Sequence, residues 1–400
     1  MADLLCPFPR MHDTELLLRP QASTANRLVP NALDSRGIIM STHMSNPTYR
    51  PKLLQEAAAE ALTDGSPHIV RVDAYERQLK ELFIIDTPQF IGADRESAFA
   101  SADFASFKEA RTQSAVYAHY PWLNRVVKIV PSDEYFRLKT NRNQDLITAE
   151  EQKKLAEYTV GIFGLSVGSN VAFALTQAGI SRRIVLADFD ELDTTNLNRI
   201  LAGVHEVGLN KAVIAARRIA EGDPFADVEA MEQGIDAASL ERLLKDRRID
   251  CVIDEVDDIR FKVDARKLAM TYKIPVVMVT DNGDGAVLHV ERYDIGHDKI
   301  FGKDPSYFDS LPAKPSKDEA GRIIMDTIVG GQDRVDPAML SSVKRVLAHE
   351  LVSWSQLGTA ALLGGIMVTY AVKQIALGKD NTVDIRAFIG PRTIEWSTHA

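Results

Sequence analysis

Between residues 158 and 280 short runs rich in β-branched residues alternate with segments of helical spacing, and nothing else in the chain constrains the fold as strongly. The runs "TVGIFG", "RRIVLAD", "DVEAM", "DCVIDEV" and "PVVMVT" read as strands. Between them "VAFALTQAG", "KAVIAARRIAEGDP", "ASLERLLKD" and "FKVDARKLAMTYK" place apolar residues at helical intervals. Strands that each wait for a helix to return the chain pair in parallel, so a doubly wound, Rossmann-like α/β sheet is predicted. After about residue 293 the alternation stops, leaving loops, helices and a closing strand at 382–390, "TVDIRAFIG".

The first 120 residues are mixed. Helices are predicted in "LLQEAAAEALTDG" (53–65) and "AYERQLKELFIID" (74–86), and one strand closed by Pro131 in "AHYPWLNRVVKIVPSDE" (118–134). A polar connection, "LKTNRNQDLITAEEQKKL", follows. These features divide the chain into an N-terminal mixed α/β region with its linker (1–140), a doubly wound α/β domain (141–297) and a mainly helical region (298–400). That last region is expected to complete the preceding domain or to form a dimer interface.

Composition excludes several classes. A net charge of -9 without a long basic run argues against a nucleic-acid surface. Two cysteines, Cys6 and Cys251, give neither a disulfide framework nor a four-cysteine zinc site, and Cys251 lies in an apolar strand. No basic segment followed by an apolar core opens the chain, so a cytoplasmic location is expected. The run "LGTAALLGGIMVTYAV", Leu357 to Val372, is about 16 residues long against the roughly 17–25 of a spanning helix. A buried helix with small residues for close packing, and no membrane contact, is the expectation.

The chemistry centres on "VGIFGLSVGSN" (160–170). Gly164 to Gly168 spell G-x-S-x-G, the turn that presents a nucleophilic serine in α/β-hydrolases. That fold builds several strands before its serine, whereas this strand is the first of its series. In the other reading Gly164, Gly168 and Ser169 form a turn after the first strand, where backbone N–H groups and the next helix start receive phosphate. A carboxylate at the end of the second strand should then bind ribose, and Asp188 stands there. On this reading Ser166 is a contact near the nucleotide, and Ser166→Gly should be nearly silent.

Three further motifs follow in order: "DFDELDTTNLNR" (188–199), "GLNKAVIAARRI" (208–219) and "VIDEVDD" (252–258). Together with the loop, they resemble the superfamily of ThiF, MoeB and the ubiquitin-activating enzymes, which adenylate a carboxylate with ATP. With "YPWLNR" the chain is similar to a bacterial ThiF-family subgroup lacking zinc cysteines. The resemblance implies that Arg199 and Lys211 contact the triphosphate, that Asp188 binds ribose, and that Asn196 helps order nucleotide and loop. Asp190 is a further nucleotide-site candidate, although an acidic residue after a strand can equally cap the next turn. Asp257 matches the family's Mg2+ carboxylate and lies with Asp254 at a strand's carboxyl end, where ligands of open sheets gather. Arg142 resembles the arginine that reaches the neighbouring subunit's ATP, which implies a homodimer.

The family implication is therefore an ATP- and Mg2+-dependent adenylyltransferase without zinc or a catalytic cysteine of its own. Its partner would be a carboxylate substrate such as the C-terminus of a small protein or peptide. The alternatives are an NAD-dependent oxidoreductase, which shares the acidic residue after a Rossmann-like loop, and an adenylation fold used as a non-catalytic scaffold.

Overall fold

The computed structural model describes residues 48–90, 95–331, 334–379 and 384–390. Cys6 and the opening segment lie outside them. The chain begins with β1 (Lys52–Leu54), α1 (Glu56–Asp64), β2 (Val70–Asp73) and α2 (Tyr75–Asp86), followed by α3 (Arg95–Phe99) and α4 (Ala102–Glu109). Two strands, β3 (Val116–Tyr120) and β4 (Arg125–Ile129), then occupy the segment expected to hold one. Asn124 reverses the chain between them in the left-handed conformation, φ 50°, which asparagine tolerates better than most residues. The resulting four-stranded sheet has the order β1-β3-β4-β2.

The polar stretch expected to be a connection is largely helical, as α5 (Ser132–Thr140) and α6 (Ala149–Glu157). Its charges cover exposed helix faces. Thr148 accepts from the Glu151 amide while the Glu151 carboxylate accepts from the Thr148 amide, a reciprocal cap that starts α6.

The second sheet comprises β5 (Val160–Phe163), β6 (Arg183–Ala187), β7 (Asp227–Met231), β8 (Cys251–Asp254), β9 (Val276–Asn282), β10 (Gly285–Glu291) and β11 (Asp384–Ile389). Its order is β11-β10-β9-β8-β5-β6-β7. The strands β5 to β9 pair in parallel as predicted, and β10 and β11 add an antiparallel edge. The helices between them are α7 (Gly168–Gln177), α8 (Lys211–Gly222), α9 (Ala237–Lys245) and α10 (Ile259–Tyr272). Side chains alternate across the strands: Val160, Ile162, Ile184 and Leu186 meet α7 and α8, whereas Phe163, Val185 and Ala187 meet α9 and α10. Strand order reverses at β5, between β6 and β8, and this opens a crevice at the carboxyl ends of β5 and β8.

After the sheet come α11 (Lys317–Ile323), α12 (Pro337–Leu347) and α13 (Gly358–Leu377). The apolar run read as about 16 residues continues through Lys373 and Gln374, giving a helix of 20 residues. By length and composition α13 could cross a membrane. Its inner face, however, packs on α7, β9 and β10. A Cβ at Gly364 would sit 2.9 Å from Val279, and one at Gly365 would sit 2.9 Å from the Asn170 backbone. The small residues thus bring α13 against the start of α7 and the end of β9. Its other face leaves Leu362, Ile366 and Tyr370 48%, 63% and 61% exposed, one helical turn apart.

The "YPWLNR" motif and Tyr135 of α5 tie the first sheet to α8. Tyr120, Trp122 and Tyr135 donate to the Ala220 carbonyl (3.3 Å), the Glu221 carboxylate (2.7 Å) and the Gly222 carbonyl (2.9 Å) at the end of α8. Buried Asp223 follows, held by two Arg182 nitrogens at 2.9 Å each. The aromatic side chains satisfy helix-end acceptors that would otherwise lose their hydration.

Candidate nucleotide site

The crevice is framed first by the turn after β5. Gly164 has φ +88°, and a Cβ there would lie 2.3 Å from the Glu255 carbonyl oxygen. Only glycine meets both demands. The Leu165 amide donates to Asp188 Oδ2 at 2.6 Å, and the Asp190 amide donates to Asp188 Oδ1 at 2.8 Å. Asp188 therefore clamps the glycine turn as well as lying at the expected ribose position. Burial pushes its carboxyl above the usual range, and the two amides and Lys211 oppose that rise.

Helix α7 begins at Gly168 without a side-chain cap. Its first N–H groups point to the crevice end of the sheet, where an anion would meet them. Ser169 Oγ donates to the Ser166 carbonyl at 2.9 Å, which fixes the loop rather than pointing away from it. Ser166 Oγ accepts from Arg199 Nε at 3.0 Å. A guanidinium is no general base, so the hydrolase reading of G-x-S-x-G finds no support. This contact gives the Ser166 hydroxyl a partner that a glycine would remove.

Arg199 and Lys211 stand at the crevice from different directions. Arg199 also donates to Asn198 Oδ1 at 2.9 Å and to the Thr195 carbonyl at 3.3 Å, and its own carbonyl accepts from Asn170 Nδ2 at 2.8 Å. Burial lowers its pKa, while the nearby Asp281 and Asp257 carboxylates oppose that effect. Lys211 opens α8 and is buried, with Nζ 2.7 Å from Asp190 Oδ2. Asp190 is thus a partner for that lysine. Asn210 caps α8 through the Ala212 and Val213 amides and donates to the Asp188 carbonyl, which locks the lysine to the end of β6.

The third wall comes from β8 and β9. Asp254 is committed elsewhere: it is fully buried and pairs with Arg266 at 2.6 Å and Lys262 at 3.2 Å. Burial alone would raise its pKa, but the two cations pull it below the usual value. Arg266 in turn pairs with Glu291 at 2.6 Å. Asp257 is exposed beyond the strand end, and Asp258 caps α10 by accepting from the Arg260 amide at 2.8 Å. Sequence reasoning missed Asp281, near the end of β9. It is 6% exposed, and neither carboxylate oxygen has a hydrogen-bond partner. Burial pushes it up to about 6, against the opposing pull of Arg199. Its only signal was its place at a strand's carboxyl end.

Asn196 is held in the turn that carries Arg199, and Arg142 stands apart. Asn196 Oδ1 accepts from the Asp193 amide at 3.0 Å and shapes its own turn. Arg142 is exposed in the turn 141–143, where Asn143 donates to the Ala178 carbonyl at the far end of α7. A ten-residue helix spans about 15 Å, so Arg142 stands well away from its own chain's loop. Among the described residues no group of three His, Cys, Asp or Glu side chains could hold a metal by itself. Asp257 fits the lesser demand of Mg2+, which takes one or two carboxylates and completes its shell with phosphate and water.

A doubly wound sheet whose glycine turn, helix start and two cations meet at the switch point defines the Rossmann-like class of α/β proteins. Within that class, residues 138–392 match the ThiF family, and the chain belongs to it. It is 35% identical over 268 residues to the uncharacterised protein MT1398 of Mycobacterium tuberculosis, covering 66% of this chain and 36% of that one. It is 34% identical over 139 residues to the tRNA threonylcarbamoyladenosine dehydratase of Bacillus subtilis, covering 34% of this chain and 54% of the enzyme. The ubiquitin-like modifier-activating enzyme 5 of Branchiostoma floridae is 27% identical over 147 residues, with 34% and 36% covered. The chain thus spans between about a third and a half of these relatives. The E. coli tRNA N6-threonylcarbamoyladenosine dehydratase structure superposes with a TM-score of 0.45 at 19% identity, covering 62% of this chain and 98% of that one.

Proposed function

We propose that the chain is an ATP-dependent adenylyltransferase that activates a carboxylate as an acyl-adenylate and releases pyrophosphate. The observation that carries this reading is the convergence of Arg199, Lys211 and the uncapped start of α7 on one crevice beside Asp188. A carboxylate oxygen attacks the α-phosphorus, and the bond to the bridging oxygen breaks with its electrons leaving on pyrophosphate. Negative charge grows on oxygens already charged, and fixed cations in a partly dry site answer it without reorganising. Arg199, oriented through Nε by Ser166, and Lys211, released from Asp190, would hold the triphosphate, while Asp188 would orient the ribose. Mg2+ bound through Asp257 and phosphate oxygens would neutralise further charge.

The substrate we infer is the C-terminus of a small protein or peptide, in line with the name of the ubiquitin-like modifier-activating relatives. Cys251 is fully buried in β8, and burial raises its thiol far above the usual value. It is no acceptor for the acyl group. The working unit is a homodimer in which Arg142 serves the partner's nucleotide. Its exposure away from its own loop supports this, and so does the uncovered stripe Leu362, Ile366 and Tyr370.

The test is ATP–pyrophosphate exchange with candidate peptides on the full chain, beside ATP binding. Exchange should fall at least a hundredfold in Arg199→Ala and Asp257→Ala while folding is kept. Exchange insensitive to both substitutions, or absence of ATP binding by the folded protein, refutes the reading.

A further inference from the structure

The triphosphate of ATP and the reacting carboxylate bring only acceptors of hydrogen bonds to this crevice, and the matching donors are Arg199, Lys211 and the α7 amides; the donors that ATP carries, its ribose hydroxyls and adenine amino group, sit at the nucleoside end that Asp188 would hold. Two buried groups there have the opposite character. Asp281 keeps both carboxylate oxygens buried and unpartnered. Asn170, 2% exposed, donates through Nδ2 to the Arg199 carbonyl at 2.8 Å, and this fixes which side-chain atom is the oxygen. That oxygen has no partner.

Both residues border the same face of the sheet and the same residue, Arg199. Val277 and Val279 line the core under α13, so Asp281, two positions on, faces the same way. Gly364 packs on Val279 and Gly365 on Asn170. Beyond Asp281 the β9–β10 turn is held still: Asn282 bonds the Arg334 carbonyl and the Asp336 amide at 2.8 Å each, and Asp284 accepts from Thr359 at 2.6 Å. Buried acceptors without donors are rare in folded proteins because each gives up its water for nothing. A rigid pair of them beside the phosphate-side arginine is built for a ligand that brings N–H groups.

We propose that Asp281 and Asn170 Oδ1 bind a primary amine that accepts the activated acyl group, a reading that rests on adenylation at this crevice. The amine nitrogen attacks the acyl carbon, and the C–O bond to phosphate breaks with its electron pair leaving on AMP. The proton shed by the nitrogen passes to the Asp281 carboxylate and on to water, and the product is an amide. Burial that lifts the Asp281 carboxyl to about 6 suits it to hold that proton near neutral pH. A thiol, with one weak donor, would leave one of the two acceptors bare.

The test uses methylammonium as the probe on the full chain, with tetramethylammonium, which has the charge but no N–H, as its control. NMR signals of Asn170 and of residues near 281 should shift saturably with methylammonium. The affinity should exceed that for tetramethylammonium at least tenfold, and should fall at least tenfold in Asp281→Asn and in Asp281→Ser. Equal binding of the two cations, or methylammonium binding unchanged in both variants, overturns the proposal. So does a loss of Mg2+ affinity in Asp281→Asn as large as that in Asp257→Asn, which would make Asp281 a metal ligand. ATP binding measured on the same samples separates the two ideas: amine binding without ATP binding would sink adenylation and leave the amine site standing.

Discussion

The bare carboxylate of Asp281 carries a cost that stability measurements can read. Its ordinary pKa of 3.8 rises to about 6 in the fold, chiefly through burial, with Arg199 the one cation opposing the rise. The neighbouring carboxyls are Asp257, which like Asp281 faces Arg199, and half-buried Glu255, itself pushed well above the usual carboxylate range chiefly by burial, with Asp281 adding to that rise. A folded state that binds the proton more tightly than the unfolded state is most stable where both are protonated, and it loses stability as pH climbs through the folded pKa. Ionising Asp281 in the fold thus costs about 3 kcal/mol once pH exceeds about 7, of which only about 1 kcal/mol is present at about pH 4.5.

Asp281→Asn keeps the shape and removes the charge. Its stability relative to the parent protein should therefore rise by about 2 kcal/mol between about pH 4.5 and about pH 7.5. Urea denaturation of both proteins across that range, followed by tryptophan fluorescence and fitted with a common slope, measures the gap. A gap that stays constant with pH, or that narrows as pH rises, would show that Asp281 finds a donor in the folded chain and refute the reasoning for it as an orphan.

Ser166→Ala and Ser166→Gly both remove the oxygen that holds Arg199 Nε, and each should weaken ATP binding by about 1 kcal/mol; a silent glycine variant in titration calorimetry would show that the tether is idle. Arg266→Ala strips the buried partner from Asp254 and Glu291 and should destabilise by about 3–5 kcal/mol at neutral pH. Because Asp254 is held below its usual pKa, that loss should shrink as pH falls and the carboxyl protonates, seen as converging melting temperatures. Mixing inactive Arg142→Ala with inactive Arg199→Ala should restore about a quarter of pyrophosphate exchange, since one site of each mixed dimer then holds both arginines; no recovery after subunit exchange would place Arg142 outside the chemistry.

What was legible beforehand follows from how local each signal is. The parallel strands β5 to β9 and their helices were readable because burial on both faces forces continuous apolar runs between helical periods. The β9–β10 hairpin turns on the two residues Gly283-Asp284 between two apolar runs, a short signal that a pattern of strand-helix crossovers hides. Likewise the T-x-x-E start of α6 was there to be read in a stretch that looked like a linker. The site divides along the same line. Gly164, Asp188, Arg199, Lys211 and Asp257 were named because each follows a strand end or a recognisable run. Asp254 and Asp281, by contrast, sit at similar strand ends, and no local rule distinguishes them. Lys262 and Arg266, one and two turns into α10, turn the first into a structural anion. The second stays bare because α13, some 80 positions later, packs on Val279 and Asn170 and brings no donor to it. A carboxylate's role at a strand end is thus set by what the opposite helix fails to supply, and that becomes visible only once the helices are packed.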